Sequence, residues 1–146
     1  MLCLDTSVLL AWTLTQAAEP HRAAATNDFV ARLEAGTLSG ATSFYALHEV
    51  HLFAVENAPD FPTGAAFGKA ALAQILSLPL QILPLLSRAE RGLHARKFRA
   101  LRDASDVPHA LVAYVYHCEA IVTYDAHFRA IAHVIPCKRP DDYLSR

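Results

Sequence analysis

The hydrophobic pattern begins with a short apolar run over residues 1–4 that ends at Asp5. Two polar residues then precede a longer apolar stretch, which predicts a strand, a cap and a helix in that order. A second continuous apolar run, over residues 120–124, is rich in the β-branched residues expected of a central parallel strand buried on both faces. This run also ends at an aspartate, Asp125. Both acids are therefore expected at the carboxyl ends of strands.

Helical and strand patterns alternate between and beyond these two runs. Pro59 and Pro62 are expected to break the helix that precedes them. The predicted helices span residues 20–35, 43–57, 65–77 and 87–101, then from 105 or 106 to about 119, with a short helix around Phe128. The predicted strands span residues 37–41, 80–83 and 133–136, and a final turn spans residues 141–144. This order predicts an α/β fold around a central parallel sheet.

The composition favours one compact domain over residues 1–146, because a chain that is 53% hydrophobic and 18% charged has apolar material for a single core. The apolar run over residues 8–14 is short, and Asp5 stands where a signal peptide carries positive charge, so we expect neither export nor a membrane span. Three widely spaced cysteines without a metal-finger spacing suggest a reducing cytoplasm. We therefore expect a soluble, cytoplasmic protein.

With a net charge of −1, the chain is not expected to coat nucleic acid through its overall electrostatic field. Any contact with nucleic acid must therefore be local. Residues 88–102 contain six of the thirteen Lys and Arg residues and lead directly to Asp103 and Asp106. Such a segment is either a solvated helix face or a phosphate-contacting surface. Arg99 and Arg102, nearest the acids, are the candidates for substrate contact.

Four carboxylates are candidates for a shared site. Asp5 and Asp125 converge if both follow parallel strands, because ligands gather at that edge of an α/β sheet. Glu49 lies on a helix face whose neighbours are apolar, without a lysine or arginine within one turn, so a cation is needed to offset its burial. Asp106 opens its helix, where the dipole favours the ionised carboxylate, and Asp103 lies one turn earlier.

Clustered carboxylates suit hard cations, and we therefore expect Mg²⁺ or Mn²⁺ at this site. Such a site performs metal-assisted hydrolysis of phosphodiester bonds. Mutual repulsion among the acids should also raise the pKa of at least one of them.

Three segments resemble the motifs of PIN domains: LDTSVLL at residues 4–10, the helical Glu49, and DVPHALVAYVYHCEAIVTYDAHF from Asp106 to Phe128. The resemblance implies a Rossmann-like fold with helices on both faces of the sheet and Mg²⁺- or Mn²⁺-dependent cleavage of RNA. It implies that Asp5, Glu49, Asp106 and Asp125 form the acidic site. Thr6, Ser7 and Thr123 are then hydroxyls that orient a water molecule at the metal.

The compact size is similar to that of VapC toxins, which implies a small antitoxin partner and a homodimer. The segment over residues 59–101 matches the motifs weakly, so it leaves the substrate-recognition residues unassigned.

Other interpretations remain open. Each aspartate has a structural alternative as a helix cap or turn residue. His48 and His51 flank Glu49, but they are three residues apart, whereas the zinc-protease helix needs a spacing of four. His109 is interpreted as a polar residue packed behind the acids. The alternative functions are a catalytically silent RNA-binding or assembly module and a phosphatase with Asp5 as nucleophile, although the second acid that such phosphatases need is Ser7 here.

Overall fold

The structure is a computed structural model, and it describes residues 1–144 of the chain. Five parallel strands form one sheet in the order β3-β2-β1-β4-β5. The strands are β1 (Leu2–Leu4), β2 (Gly40–Ser43), β3 (Leu80–Leu83), β4 (Ala120–Val122) and β5 (Cys137–Lys138). In the central register, Leu4 pairs with Thr42 on one side and with Val122 on the other. The predicted α/β fold with a central parallel sheet is therefore confirmed.

Within residues 1–144, six α-helices and three 3₁₀ segments connect and follow these strands. The helices are α1 (Thr6–Thr13), α2 (Pro20–Glu34), α3 (Phe44–Glu56), α4 (Phe61–Leu76), α5 (Arg88–His94) and α6 (Asp106–Val115). The 3₁₀ segments are Ala95–Phe98, Ala126–Ile131 and Pro140–Tyr143.

Side chains of the central strands alternate between two buried clusters, one on each face of the sheet. Leu2 and Leu4 belong to the cluster formed with helices α1 to α4. Cys3, between them, belongs to the opposite cluster, which contains Phe98 and residues of α6. Helices thus cover both faces of the sheet, as predicted, and its carboxyl edge is left for polar residues.

Several element boundaries differ from the predicted ones. The strand predicted over residues 133–136 is wrong: Ile135 is buried in the core, and the strand follows it at Cys137–Lys138. The strand predicted at residues 37–41 starts at Gly40, because the backbone amides of residues 37 and 38 donate to the Arg32 carbonyl and terminate α2.

Three helix boundaries also differ. Helix α4 begins at Phe61 rather than residue 65, because Asp60 accepts a hydrogen bond from the Thr63 amide and the proline at residue 62 fits the first turn. The basic helix predicted over residues 87–101 changes to 3₁₀ winding after His94, and the buried Phe98 closes it. Helix α6 ends at Val115, because His117 adopts a positive φ of 55° and redirects the chain towards β4.

No helix in residues 1–144 is long and apolar enough to cross a membrane. The single-domain assignment over residues 1–146 stays a prediction.

Close packing of α3 against α4 leads to the first testable prediction. A Cβ atom added at Gly64 would lie 2.6 Å from the Val55 Cα and 2.9 Å from the Ala54 carbonyl oxygen. Gly64→Ala must push the helices apart, and we expect it to lower the free energy of unfolding by about 1–3 kcal/mol. Urea unfolding followed by circular dichroism measures this change.

Gly92→Ala is the matched control, because Gly92 lies in α5 with no atom within 4 Å of an added Cβ. There the change should be neutral or stabilising by up to about 1 kcal/mol. Equal stability of the two variants would contradict the close α3–α4 contact.

Candidate metal centre

Asp5 is held at the centre of the carboxyl edge by the ends of two strands. Its backbone amide donates to the Val122 carbonyl (3.0 Å), and its side chain is buried. Oδ2 accepts hydrogen bonds from the Ser7 amide (3.3 Å), the Ser7 hydroxyl (2.8 Å) and the Thr123 hydroxyl (2.8 Å). The carboxylate therefore caps α1 through one oxygen, while Oδ1 faces the His109 ring, whose Nδ1 lies 3.9 Å away.

Each of the two hydroxyls that donate to Asp5 is fixed by a backbone amide. The Tyr124 amide donates to Ser7 Oγ (2.9 Å), and the Asp125 amide donates to Thr123 Oγ1 (2.9 Å). These bonds orient the hydroxyl protons towards the carboxylate. Ser7 and Thr123 thus position Asp5, and the role in orienting water stays a prediction.

Glu49 has partners from two other helices. Its Oε2 accepts a hydrogen bond from the Thr6 hydroxyl (2.5 Å) and lies 3.2 Å from His109 Nε2. Burial alone raises the pKa of Glu49, but the bonds from His109 and Thr6 outweigh it, and the net pKa is lowered. Burial lowers the pKa of His109, but Glu49 and Asp5 outweigh it, and the net pKa is raised. His109 supplies, from α6, a hydrogen-bonding partner for Glu49 that the sequence around Glu49 lacks.

His109 lies three residues after Asp106 and therefore on the same side of α6, and this spacing is the signal in the sequence that connects it to the acids. It is almost fully buried, with 4% of its surface exposed.

Asp106 and Asp125 come together with His127, a residue that the sequence interpretation missed. Among the described residues, these three form a group whose candidate ligand atoms all lie within 4.8 Å of one another. His127 Nδ1 is 3.8 Å from Asp106 Oδ2 and 3.5 Å from Asp125 Oδ1. Asp5 and Glu49 lie outside this group in the described part of the chain.

The Asp106 carboxylate is electrostatically unfavourable in this position. Oδ2 is buried without a hydrogen-bond partner among residues 1–144. Burial, followed by the charges of Asp125, Asp103 and Asp5, raises the pKa of Asp106 from its ordinary value of 3.8 to about 6. These effects outweigh the helix dipole that was expected to favour the ionised form, and they agree with the expected repulsion among the acids. An unpartnered buried carboxylate oxygen among other acids fits a divalent cation.

Asp103 lies at the rim of the group. Its side chain is exposed and accepts hydrogen bonds from the Ser105 amide and hydroxyl, both at 2.8 Å. These bonds lower the pKa of Asp103. In this geometry Asp103 stabilises the turn before α6, and its role as a metal ligand stays a prediction.

A family model described as the PIN domain matches residues 2–134. The chain belongs to the PIN domain family. No curated protein and no solved structure matches it, so the assignment rests on the family model. PIN domains are generally nucleases. The matched part of this PIN domain contains all four predicted acids as well as His109 and His127.

Two clefts with cationic residues flank the acids of the PIN domain. One cleft contains Thr123, Asp125 and Asp142, together with three cations that form no ion pair among the described residues: Arg129, Lys138 and Arg139. The other cleft lies beside His127 and contains Arg102. Arg102 lines the cleft beside His127, whereas Arg99 is exposed and lines neither cleft. Substrate contact by either arginine stays a prediction.

The sequence interpretation missed Lys138 and Arg139 because it placed the last strand at residues 133–136. With β5 at Cys137–Lys138, the two cations stand at the carboxyl end of that strand, on the edge that carries the acids. In the basic segment, Lys97 packs over the ring of Tyr114, 5.2 Å from its centroid, and so has a structural contact. His48 and His51 line an apolar cleft beside Leu72, and among the described residues neither belongs to the group of Asp106, Asp125 and His127.

The raised pKa of Asp106 predicts a pH-dependent stability for the metal-free PIN domain. The folded state binds the Asp106 proton more tightly than the unfolded chain does, so the stabilising contribution is complete below about pH 4 and is lost as pH rises through about 6. Asp106→Asn removes the titrating carboxyl group, so the variant does not lose this stabilising contribution as pH rises. In excess EDTA we expect its melting temperature, relative to that of the unmodified protein, to increase from pH 4 to pH 7.

Asp60→Asn is the control, because Asp60 is exposed and its Thr63 hydrogen bonds lower its pKa, which gives the opposite pH trend. A difference between Asp106→Asn and the unmodified protein that stays constant over this pH range would contradict the raised pKa.

Proposed function

We propose that this PIN domain is an endoribonuclease that uses Mg²⁺ or Mn²⁺ to hydrolyse RNA phosphodiester bonds. The observation that carries the proposal is the buried Asp106 Oδ2, which has no hydrogen-bond partner among residues 1–144 and lies among other acids at the carboxyl edge of the sheet. A buried carboxylate without a partner is costly, and a divalent cation offsets that cost.

The proposed roles follow from the contacts of each acid. Asp5, Asp106 and Asp125 hold the metal, with Asp103 at the rim, and Glu49 adds negative charge from the side of α3. A divalent cation bound there stabilises the charge that develops on the phosphate and makes water a better nucleophile. Ser7 and Thr123 keep Asp5 in a fixed orientation, so the carboxylate requires little rearrangement on binding.

We assign Glu49 a second role, as the carboxylate that accepts a proton from the attacking water. Thr6 and His109 keep Glu49 ionised at neutral pH, and its side chain is 35% exposed and therefore accessible from solvent. Asp106, whose pKa is raised to about 6, keeps a larger protonated fraction than Glu49 when no metal is bound.

The two cationic clefts support RNA as the substrate. An RNA strand brings one negative charge per nucleotide towards an acidic site, and nearby cations are needed to offset the repulsion. Arg129, Lys138 and Arg139 line one cleft together with Asp125, and Arg102 lines a second cleft together with His127. We assign both clefts to substrate phosphates, with Arg99 as an additional contact.

We further propose that the nuclease is a cytoplasmic toxin of the VapC type, paired with a small antitoxin and acting as a homodimer. The support is the compact chain and the resemblance of its motifs. A short open reading frame directly upstream, whose product binds this chain and inhibits cleavage, is the expected genomic arrangement.

The catalytic proposal predicts that Asp5→Asn and Asp106→Asn each lower RNA cleavage by at least about 100-fold, because each removes a charge that holds the metal. Cleavage of a labelled RNA is measured with Mn²⁺ or Mg²⁺ and again with excess EDTA. Asp60→Asn, which changes an exposed acid that caps α4, is the control and should retain full activity.

Cleavage that survives both substitutions, or that persists in EDTA, would overturn the nuclease proposal. Metal-independent RNA binding without turnover would instead favour a catalytically silent module.

The cationic cleft predicts weaker RNA binding in Lys138→Ala and Arg139→Ala, both made on the Asp5→Asn background to prevent cleavage. Each lost phosphate contact should reduce the slope of log affinity against log salt by about 0.7 for single-stranded RNA. Fluorescence anisotropy over a salt series measures both quantities. Lys69→Ala, which removes an exposed lysine from α4, is the charge-matched control. If it weakens binding equally, the contacts are not specific to the cleft.

A further inference from the structure

His127 occupies a position that neither core packing nor a direct hydrogen bond explains. Its side chain is 70% exposed, so it does not stabilise the core. Its Nδ1 is 3.5 Å from Asp125 Oδ1 and 3.8 Å from Asp106 Oδ2. Charge-assisted N–H···O bonds are shorter, at about 2.7–2.9 Å. The imidazole nitrogen is therefore close to two carboxylate oxygens but too distant to bond directly to either.

These separations are short enough for the atoms to share a cation. With metal–ligand distances of about 2.1 Å, two ligand atoms of one cation are at most about 4.2 Å apart. Both distances from His127 Nδ1 fall below this limit. One of the two oxygens, Asp106 Oδ2, is also the buried atom without a hydrogen-bond partner among the described residues.

The backbone of His127 is held beside the acids. Asp125 caps the 3₁₀ segment Ala126–Ile131 by accepting a hydrogen bond from the His127 amide, 2.8 Å from Oδ1. The residue that provides the imidazole is thus anchored to the carboxylate beside it. Phe128, the next residue, is fully buried and holds the segment against the core.

We infer that His127 is a nitrogen ligand of the metal and makes this site prefer Mn²⁺ to Mg²⁺. The inference rests on the proposed metal site and specifies which cation it favours. Mg²⁺ strongly prefers oxygen ligands and retained water, whereas affinity for nitrogen donors increases from Mn²⁺ along the first transition series. Asp106 and Asp125 bind both cations, and His127 adds a ligand that only the transition metal uses well.

The alternative is that His127 acts only as a positive counter-ion for the two carboxylates in the metal-free protein. The two roles predict opposite effects of its removal. A counter-ion competes with the metal, so its loss strengthens the binding of both cations. A ligand contributes to binding, so its loss weakens the binding of Mn²⁺.

The test measures the dissociation constants of Mn²⁺ and Mg²⁺ by isothermal titration calorimetry for the unmodified protein, His127→Ala and His127→Asn. We expect both variants to weaken Mn²⁺ binding on the order of tenfold and to leave Mg²⁺ binding nearly unchanged. Electron spin-echo envelope modulation of bound Mn²⁺ should detect a coordinated nitrogen that both substitutions remove. Because the side chain is exposed, the melting temperature in EDTA should not change.

His133→Ala is the matched control, because His133 is exposed and precedes β5, at the end of the sheet opposite the acids. It should retain the Mn²⁺ preference and the nitrogen signal. An unchanged Mn²⁺/Mg²⁺ affinity ratio in the His127 variants, tighter binding of both cations, or a nitrogen signal that persists would each overturn the role of His127 while leaving the nuclease proposal intact. Failure of the unmodified protein to bind either cation would overturn both.

Discussion

Carboxylates gathered at one edge of a sheet repel one another, and the surrounding structure reduces this repulsion unevenly. Asp5 receives three hydrogen bonds on a single oxygen, and Glu49 contacts Thr6 and His109. Asp106 has no equivalent partner among the described residues, and its pKa rises to about 6. The unfavourable charge is thus concentrated on one buried oxygen. This is the oxygen that a cation can approach without displacing a bond that the fold already uses.

The two central strands end in the same local geometry but with different partners. Asp5 and Asp125 each accept a hydrogen bond from the backbone amide two residues later, and each thereby caps a helical segment. At Asp5 the residue in that position is Ser7, whose hydroxyl also donates to the carboxylate. At Asp125 it is His127, whose ring instead extends towards Asp106. An aspartate at these positions can therefore cap a helix and bind a metal, because the capping hydrogen bond uses only part of the carboxylate and leaves other directions open to a cation.

The sequence predicts the fold well because strand and helix periodicities are local. It also predicts that Asp5 and Asp125 follow strands that end at the same edge of the sheet, since β1 and β4 pair in register. The terminal strand could not be located in this way, because Ile135 has the apolar character of a strand residue but packs in a turn. Lys138 and Arg139 were missed for the same reason. His127 was missed because its approach to Asp106 depends on how the 3₁₀ segment lies against α6, which no local pattern encodes.

Burial is the largest single cause of the raised pKa of Asp106, ahead of the charge of each neighbouring acid. Nearby cationic side chains reduce the repulsion from the other acids, but they do not replace the water that the buried carboxylate has lost. A cation that contacts the oxygen directly does replace that lost hydration. Binding energy at this site then contributes to the stability of the folded chain, since the unfolded chain does not assemble these ligands. The start of α6, which carries Asp106, is consequently expected to be the part most strongly ordered by the proposed metal.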